Sequence, residues 1–451
     1  MKRYVLLAII MAAVFFGACA KESSFPKATG EGSIRAINAI STSPEFSMLI
    51  EERPIGSVQY KSASAPAPFD DLLYSFNFEV VLTGNLLRTR VASEPLKVEK
   101  DKDYTFIISG AIDAPDILLW EGDIREWADG DTVFEARFGH TAESLGDIDV
   151  YFADPSIPPV QGSELGTLAF GEFIPAADFP AGDYVLTLTT AGDDTDILFQ
   201  SDPVTLVERS PLLITVFDGD ANDLSPWAVR MFNMVIPGTS AFVDARFPPT
   251  LRFFHTSLNF DTADIYVDDP LTTPLVADHT FRDVTDDLGV SAGLLPLTYT
   301  TADNIGSILI DTERTVSAGT QAHIYVIRSS LGTDLLLDYF PNRRSIETHA
   351  RFSIINTVPD PAGIGLDVYF VPAGESIDEA LPLLRGVAAG SDPVQIPFVP
   401  GSYDIYITEF GEKTVLTGPV PLDLALGDVV DSVIYENVDP TIVDLVYVPV
   451  P

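Results

Sequence analysis

The chain has 451 residues, of which 46% are hydrophobic and 20% are charged, so it can bury the cores of several domains of roughly 100–150 residues each. Acidic residues outnumber basic ones by 66 to 26, which gives a formal net charge of -40. The electrostatic field of such a negative charge repels nucleic-acid phosphates, which argues against nucleic acid as a partner. Only one cysteine is present, so disulfides within the chain cannot stabilise the fold.

The N-terminus has the three parts of a secretory signal. A basic start (1–3) precedes an apolar run (4–16) that is too short to span a bilayer, and small residues follow before Cys19. We predict a signal peptide over 1–18. Phe16-Gly17-Ala18-Cys19 resembles the bacterial lipoprotein signal box, although Leu is usual at its first position. The resemblance implies a diacylglyceryl group on the Cys19 thiol, and an ordinary cleaved signal with a chance cysteine is the alternative.

Residues 19–32 are polar and rich in small side chains, as is typical of a flexible tether. Acyl chains such as palmitate on Cys19 would contribute about 0.8 kcal/mol per buried methylene, and several chains make anchoring stable. Ala20 follows the cysteine where Asp would retain a protein at the inner membrane, by resemblance to sorting in enterobacteria. We therefore predict a cell-envelope protein anchored through Cys19, most consistent with the outer membrane, either periplasmic or surface-exposed.

A strand motif with aspartate and tyrosine two residues apart occurs three times. Its copies are Asp149-Val150-Tyr151, Asp264-Ile265-Tyr266 and Asp367-Val368-Tyr369. Each copy follows an Arg-Phe pair, and these pairs begin with Arg137, Arg252 and Arg351. With Arg35, which starts a first unit lacking the motif, these arginines lie 102, 115 and 99 residues apart. Each unit therefore has the size of a small domain, far longer than a solenoid repeat of roughly 20–50 residues.

Short strand-like runs alternate with turn-forming Gly, Asn, Asp and Pro clusters throughout the units. Examples are residues 73–82, 104–108 and 212–217, and no stretch has convincing helical periodicity. Such spacing implies β-sandwiches. We predict an all-β chain, a tandem array of four immunoglobulin-like β-sandwich domains over 33–130, 131–245, 246–346 and 347–451.

The fourth unit resembles a known family. Asn356, the Asp367-Val368-Tyr369 strand and Pro400-Gly401-Ser402-Tyr403 are similar to domain-of-unknown-function family 4397, whose bacterial members are exported, repeated, immunoglobulin-like modules. The second and third units lack the asparagine, and the first has Phe46-Ser47-Met48-Leu49 in place of the aspartate motif. The resemblance implies fold and export, and it supplies no catalytic residue.

The recurring motif is interpreted as structural because it recurs in units of one predicted fold. We expect each aspartate to pair with the arginine of its own unit, since the two groups can bond bidentately from adjacent strands. The structural signature is therefore Arg137, Asp149, Tyr151, Arg252, Asp264, Tyr266, Arg351, Asp367 and Tyr369.

One loop is a candidate calcium site. Asp218, Asp220, Asn222 and Asp223 supply oxygen ligands near a junction between units, but the sixth and twelfth loop positions lack the Gly and Glu of a helix-loop-helix site. A solvated acidic turn is the alternative, and no other cofactor is predicted. His140 and His255 hold equivalent positions without Cys or His at metal spacing, so we interpret both as structural.

No nucleophile elbow, phosphate loop or Cys-His pair is present in the sequence, and we predict a protein that is not an enzyme. The first hypothesis is a binding, adhesive or structural module whose loops recognise an unknown protein or glycan. The alternative is a solute- or glycan-binding lipoprotein that supports an uptake system. That role requires a concave, aromatic-lined site, for which Trp120, Trp127 and Trp227 are candidates, although packing in cores or between domains is the favoured role of these tryptophans.

Overall fold

A computed structural model describes residues 27–84, 87–267, 273–302, 304–329, 331–359 and 365–448. These residues form strands and no helix, which confirms the prediction of an all-β chain. The described part of the chain accordingly holds no helix long and apolar enough to cross a membrane. The predicted signal peptide, Cys19 and the start of the tether lie outside the described residues.

The strands follow the four sequence units. The first unit has β1 (Glu31–Asn38), β2 (Phe46–Ile50), β3 (Arg53–Val58), β4 (Ala67–Asp70), β5 (Leu73–Val81), β6 (Arg88–Lys97), β7 (Lys102–Ala111) and β8 (Ala114–Asp123). The second has β9 (Val133–His140), β10 (Ile148–Ala153), β11 (Gly166–Leu168), β12 (Phe173–Pro180), β13 (Gly182–Thr190), β14 (Ile197–Gln200), β15 (Val204–Leu206), β16 (Pro211–Asp218), β17 (Trp227–Asn233) and β18 (Thr239–Phe242).

The third unit has β19 (Thr250–His255), β20 (Thr262–Val267), β21 (Val276–Thr280), β22 (Leu288–Gly289), β23 (Gly293–Thr301), β24 (Asn304–Val316), β25 (Gln321–Arg328) and β26 (Asp334–Tyr339). The fourth has β27 (Ala350–Asn356), β28 (Leu366–Pro372), β29 (Leu384–Val387), β30 (Ile396–Phe398), β31 (Gly401–Glu409), β32 (Val415–Leu424), β33 (Val429–Glu436) and β34 (Val443–Val448).

Each unit contributes two sheets of four or five strands. The sheet that we name the inner sheet contains the first strand of the unit, and its strand orders are β4-β1-β7-β8, β12-β9-β16-β17-β18, β22-β19-β25-β26 and β30-β27-β33-β34. The outer sheet contains the second strand, in the orders β3-β2-β5-β6, β11-β10-β13-β14, β21-β20-β23-β24 and β29-β28-β31-β32, with β15 also on β13. The first strand always pairs in parallel with the same later strand, as in β1 with β7 and β27 with β33.

The two sheets of a unit share an apolar core. In the first unit, Ile34 and Phe106 of the inner sheet lie in one buried cluster with Phe46 and Phe78 of the outer sheet. Corresponding clusters join the two sheets in the second, third and fourth units. Two facing sheets around a core of this kind fit the predicted β-sandwich.

The inner sheets are also covered on their other face, where the units pack in pairs. Ile37 and Trp120 of the first unit lie in one buried cluster with Leu213 and Phe217 of the second. A second cluster joins the third and fourth units through residues including Phe254, Tyr325, Ile355 and Tyr435. Strand β16 is consequently buried along nearly its whole length, and its apolar run does not alternate because both of its faces are covered.

Residues 342–347, which we name the junction segment, connect the two pairs of units. Arg344 donates to the carbonyl oxygens of Ser41 (2.9 Å) and Ser43 (2.7 Å) in the first unit. Arg343 donates to the Asp287 carboxylate of the third unit at 2.7 and 3.0 Å, and its backbone N–H donates to Asn222 of the second unit at 2.6 Å. The junction segment, which ends the third unit and begins the fourth, thereby contacts the first and second units as well.

Candidate functional site

The arginines and aspartates of the signature do not pair in the second and fourth units, so that prediction is wrong there. Arg137 bonds the Asp103 carboxylate of the first unit, whereas Asp149 accepts from the Thr167 hydroxyl and from Gly192 N–H at 2.7 Å. The physical reason is topological. Arg137 lies on β9 of the inner sheet and Asp149 on β10 of the outer sheet, and the core separates the two sheets.

The arginine and the aspartate of each of the other two units also lie on separate sheets. In the fourth, Arg351 donates to Gln395 (2.9 Å), and Asp367 accepts from Gly386 N–H (2.8 Å) and Gly411 N–H (2.9 Å). In the third, Arg252 on β19 donates to the Thr285 carbonyl (2.8 Å), and Asp264 on β20 accepts from Asp278 N–H (2.9 Å). The aspartates thus hold turns of the outer sheets, as charge-assisted bonds from backbone N–H groups allow.

The predicted calcium loop contacts a lysine of the first unit. The Lys61 ammonium lies 2.9 Å from the Asp220 carboxylate and also bonds Asp223, while Arg230 pairs with Asp223 at 3.2 Å. Lys61 and Asp220 are both more than nine-tenths buried in this contact. Side-chain cations from two units therefore offset the charges of Asp220 and Asp223.

The remaining ligands of the predicted calcium site have partners of their own. The Asp218 carboxylate accepts from Glu143 N–H (3.0 Å) and Ser144 N–H (3.2 Å). The Asn222 side chain donates to Asn342 of the junction segment at 2.9 Å. Among the described residues, no group of three or more His, Cys, Asp or Glu side chains has the geometry to hold a metal ion.

A buried charge cluster lies between the first and second units. Arg137 bonds Asp103 and lies 3.3 Å from Glu135, and Arg35 donates to the Asn233 carbonyl at 2.9 Å. Burial lowers the pKa of Arg35 to about 10 and raises the pKa values of Asp103 and Glu135. The opposite charges of these groups stabilise the contact between units only as a set, because each alone would be costly to bury.

His140 and His255, which hold equivalent positions in the sequence, lie in two different environments. His140 meets the Gly146 carbonyl at 3.0 Å, which fits its predicted structural role. His255 is fully buried, and its ring lies 5.7 Å from that of His279, between centroids. Burial, followed by the neighbouring His279, lowers the pKa of His255 to about 4. The sequence did not reveal this neighbour, because His279 is 24 residues away on β21.

A groove opens on the outer face of the outer sheet of the second unit. Its volume is about 500 Å³, within the usual range for ligand sites of about 300–1,000 Å³. Strands β10, β13 and β14 form the floor, where Tyr151, Thr187 and Gln200 contribute side chains. The loop after β10 forms one wall, and Ile157 on this loop is 58% exposed. Tyr151 itself is only 5% exposed, so the surface that the groove offers to solvent comes mainly from the loop residues of its wall.

The three tryptophans do not line this groove. Trp120 is buried between the first two units, where its indole N–H donates to the Gly171 carbonyl at 2.8 Å. Trp127 lies under the Arg125 guanidinium, 4.8 Å from ring centroid to charge centre, and Trp227 packs at the edge of the core of the second unit. Trp120 therefore serves packing between units and Trp227 packing against a core, which is the role that the sequence favoured for the tryptophans.

Comparisons with known proteins give little further information. No protein-family model matches the sequence, and no curated protein matches it. One matching solved structure is the Bacillus anthracis TIE protein, at 8% identity and a TM-score of 0.16, over 91% of this chain and 76% of that chain. A likeness of this size carries no argument about fold or function.

Proposed function

We propose that the chain is a lipid-anchored protein of the cell envelope, built from four immunoglobulin-like sandwich domains of the family 4397 type, with a non-catalytic binding, adhesive or structural role. The observation that carries the proposal is the junction segment, because Arg343 and Arg344 tie the first and third units to one continuous framework. A framework of this kind holds surface loops in fixed positions, which suits recognition without catalysis.

Two hydroxyl groups support the immunoglobulin-like assignment. Tyr184 donates to the Pro180 carbonyl at 2.9 Å, and Tyr403 donates to the Val399 carbonyl at 2.7 Å. Both bonds run from the start of a strand to the backbone four residues upstream, as in the tyrosine corner of immunoglobulin-like sandwiches. The equivalent runs 181–184 and 400–403 in the sequence therefore have the same structural role.

Mass spectrometry of the mature N-terminus, combined with protease shaving of intact cells, tests the anchor and the exposure. We expect a diacylated or triacylated Cys19 as the first residue and release of fragments from the four units by external protease. An unmodified N-terminus would contradict the anchor, and complete protection in intact cells would place the chain on the periplasmic side.

The groove of the second unit supports a second candidate function, a solute- or glycan-binding lipoprotein that serves an uptake system. Its volume of about 500 Å³ and its opening to solvent suit a small ligand. Deletion of the chain would then slow growth on the solute that it binds, whereas an adhesive or structural protein would leave such growth unchanged.

A further inference from the structure

The described chain starts at one end of the first unit, which we name the base. Asp71 N–H, between β4 and β5, donates to the Gly30 carbonyl at 3.0 Å. Asp101 N–H, between β6 and β7, donates to the Glu31 carbonyl at 2.9 Å, and Ile124 N–H, after β8, donates to the Asp101 carbonyl at 2.9 Å. These bonds hold the start of the chain against three loops of the first unit.

The corresponding end of the second unit lies beside these loops and belongs to the same base. Ile124 and Val235, which follows β17, line one cavity of about 230 Å³ together with Pro68. Ile124 also lines a second cavity, which it shares with Ala28 and Gly30 at the start of the described chain. Val235 is therefore close to the point where the tether enters the first unit.

Four apolar side chains are exposed at the base. Leu73, the first residue of β5, is 70% exposed, and Ile124 is 39% exposed. Val235 and Ile236 are 61% and 60% exposed, and their N–H groups donate to the Asn233 side chain at 2.9 and 3.1 Å, which fixes the turn that presents them. Apolar groups that are gathered on one exposed surface, with charged residues around them, indicate an interaction surface.

Lysines are concentrated at the same end of the molecule. Seven lysines follow Cys19, and five of them belong to the tether or to the base, namely Lys21, Lys27, Lys97, Lys100 and Lys102. Lys97 stands opposite Leu73 in the strand register, and Lys27, Lys97 and Lys100 are exposed. The other two lysines bond carboxylate or carbonyl oxygens within the fold. In a chain with a formal net charge of -40, the base is thus the place where ammonium groups can meet phosphates.

Some acidic side chains are also present at the base, and lysines offset two of them. The Lys100 ammonium lies 3.5 Å from the Asp101 carboxylate, and the Lys102 ammonium lies 2.8 Å from the Asp123 carboxylate. These pairs reduce the repulsion that a surface of phosphates would otherwise meet here.

The length of the tether places this surface near the proposed lipid anchor. Only eight residues separate Cys19 from Lys27, and eight residues span at most about 29 Å even when fully extended. A lipid on Cys19 would therefore keep the start of the described chain within about 29 Å of the bilayer.

We propose that the base rests on a phospholipid bilayer, with its four exposed apolar side chains in the headgroup region and its exposed lysines against lipid phosphates. The inference rests on the lipid anchor proposed above and adds the surface that meets the membrane. It also sets the orientation of the chain, with the first two units next to the bilayer.

The test couples the mature chain to vesicles through Cys19, which is the only cysteine. The vesicles contain phosphatidylethanolamine, a maleimide lipid, and phosphatidylcholine brominated near the headgroup end of its acyl chains. The maleimide anchors the thiol whether or not cells acylate it. Val235→Trp adds an indole to the base, and we expect the brominated lipid to quench most of the tryptophan emission that this variant adds to that of the wild type. An added emission that is not quenched would overturn the proposal.

Val438→Trp is the matched control. Val438 is 87% exposed and follows β33, whereas Ser345 of the junction segment bonds the Gly427 carbonyl before β33, so Val438 lies at the far end of the fourth unit. The emission that this variant adds should not be quenched. Equal quenching at both positions would overturn the proposal, because the chain would then have no preferred orientation on the bilayer.

A charge reversal tests the part of the lysines. Lys27→Glu/Lys97→Glu, introduced into the Val235→Trp protein, should lower the quenching, because carboxylates then face the lipid phosphates. Unchanged quenching would overturn the role assigned to the lysines. Mass spectrometry of Cys19 in the protein from cells tests acylation separately, so failure of the lipid anchor is distinguishable from failure of the contact at the base.

Discussion

At the scale of single residues, buried ions join the units, and Lys61 is the clearest case. Its ammonium contacts Asp220 and Asp223 across the boundary between the first two units. The position that the sequence suggested for calcium is thus occupied by a protein cation, which is why the acidic loop could be found from the sequence but its partner could not. Lys61 lies 159 residues before Asp220, and no local pattern connects the two.

Replacing this lysine should convert the loop into a site that needs a cation. Lys61→Met leaves two carboxylates without their main partner, and breaking a buried pair in this way costs about 3–5 kcal/mol. Millimolar Ca²⁺ should recover part of that loss, because oxygen ligands then have a divalent ion to bind. Chemical denaturation of the variant with and without Ca²⁺ measures both effects.

Lys100→Met is the control, because Lys100 and Asp101 form an exposed pair and such pairs contribute little. It should unfold like the wild type under both conditions. A Lys61→Met protein as stable as the wild type would show that the contact between the units does not depend on this ion pair.

Buried histidines should make the fold sensitive to acid. The pKa of His255 is lowered to about 4 by burial, with His279 and Asp283 as its titratable neighbours. At this one site, the unfolded chain therefore binds a proton near pH 6.5 that the folded chain does not bind. The contribution of His255 to stability falls as the pH drops from about 6.5 to about 4, by about 1.4 kcal/mol per pH unit.

His255→Gln should remove this pH-dependent contribution to the free energy of unfolding. Between pH 6 and pH 4.5, the free energy of unfolding of the variant should fall less steeply than that of the wild type, by about 1.4 kcal/mol per pH unit. The raised pKa values of Asp103 and Glu135 act in the opposite direction, since these groups gain stability on acidification, but they contribute equally to both proteins. Parallel pH profiles would show that the proton uptake lies elsewhere.

At the scale of strands and sheets, many strands could be located from the sequence, but their partners could not. The predicted run 73–82 is strand β5 (Leu73–Val81), and the predicted run 212–217 lies within β16. Strand positions can be predicted from one stretch of sequence because apolar runs and turn residues alternate within it. Burial of β16 on both faces could also be predicted, because residues 212–216 form an almost unbroken apolar run and such runs indicate strands that are covered on both sides.

The open groove illustrates the limit of such reasoning. Its lining brings the loop after β10 together with residues of β13 and β14 that lie about 30–50 residues away in sequence, and no single stretch of sequence shows that these parts meet. Only the strand registers, which pair Tyr151 with Thr187 and Thr187 with Gln200, establish it.

The packing of the inner sheets can be tested at one glycine. A Cβ atom on Gly139 would lie 2.2 Å from a ring atom of Trp120, so Gly139→Ala must displace the indole from the contact between the first two units. Overpacking of this kind costs about 1–3 kcal/mol. Tryptophan fluorescence and the midpoint of unfolding should both change.

Gly146→Ala serves as the comparison, because a Cβ atom at Gly146 would meet nothing within 4 Å. That variant should retain the fluorescence and stability of the wild type. If both substitutions left the protein unchanged, Trp120 would not be held against β9 as the structure has it.

At the scale of the whole molecule, the repeats pack as two pairs of units and not as four independent units. The first two units share one buried cluster through their inner sheets, and the last two share another. The junction segment then contacts both pairs. The proposed binding role depends on this arrangement, which holds the surface loops of the four units in fixed positions relative to one another.

The most direct test of this architecture is a disulfide between positions 42 and 347. Glu347 N–H donates to the Thr42 carbonyl at 2.9 Å, and the two side chains also meet, although 305 residues separate them in sequence. Backbones this close suit a disulfide, whose Cα atoms lie about 4.4–6.8 Å apart.

The variant Thr42→Cys/Glu347→Cys, in a soluble chain without Cys19, should form an intramolecular disulfide readily in air, as peptide mass mapping would detect. A companion variant with cysteines at Thr42 and the exposed Glu412 should remain reduced. Two free thiols in the first variant under the same conditions would contradict the account, because the units would then not be joined through the junction segment.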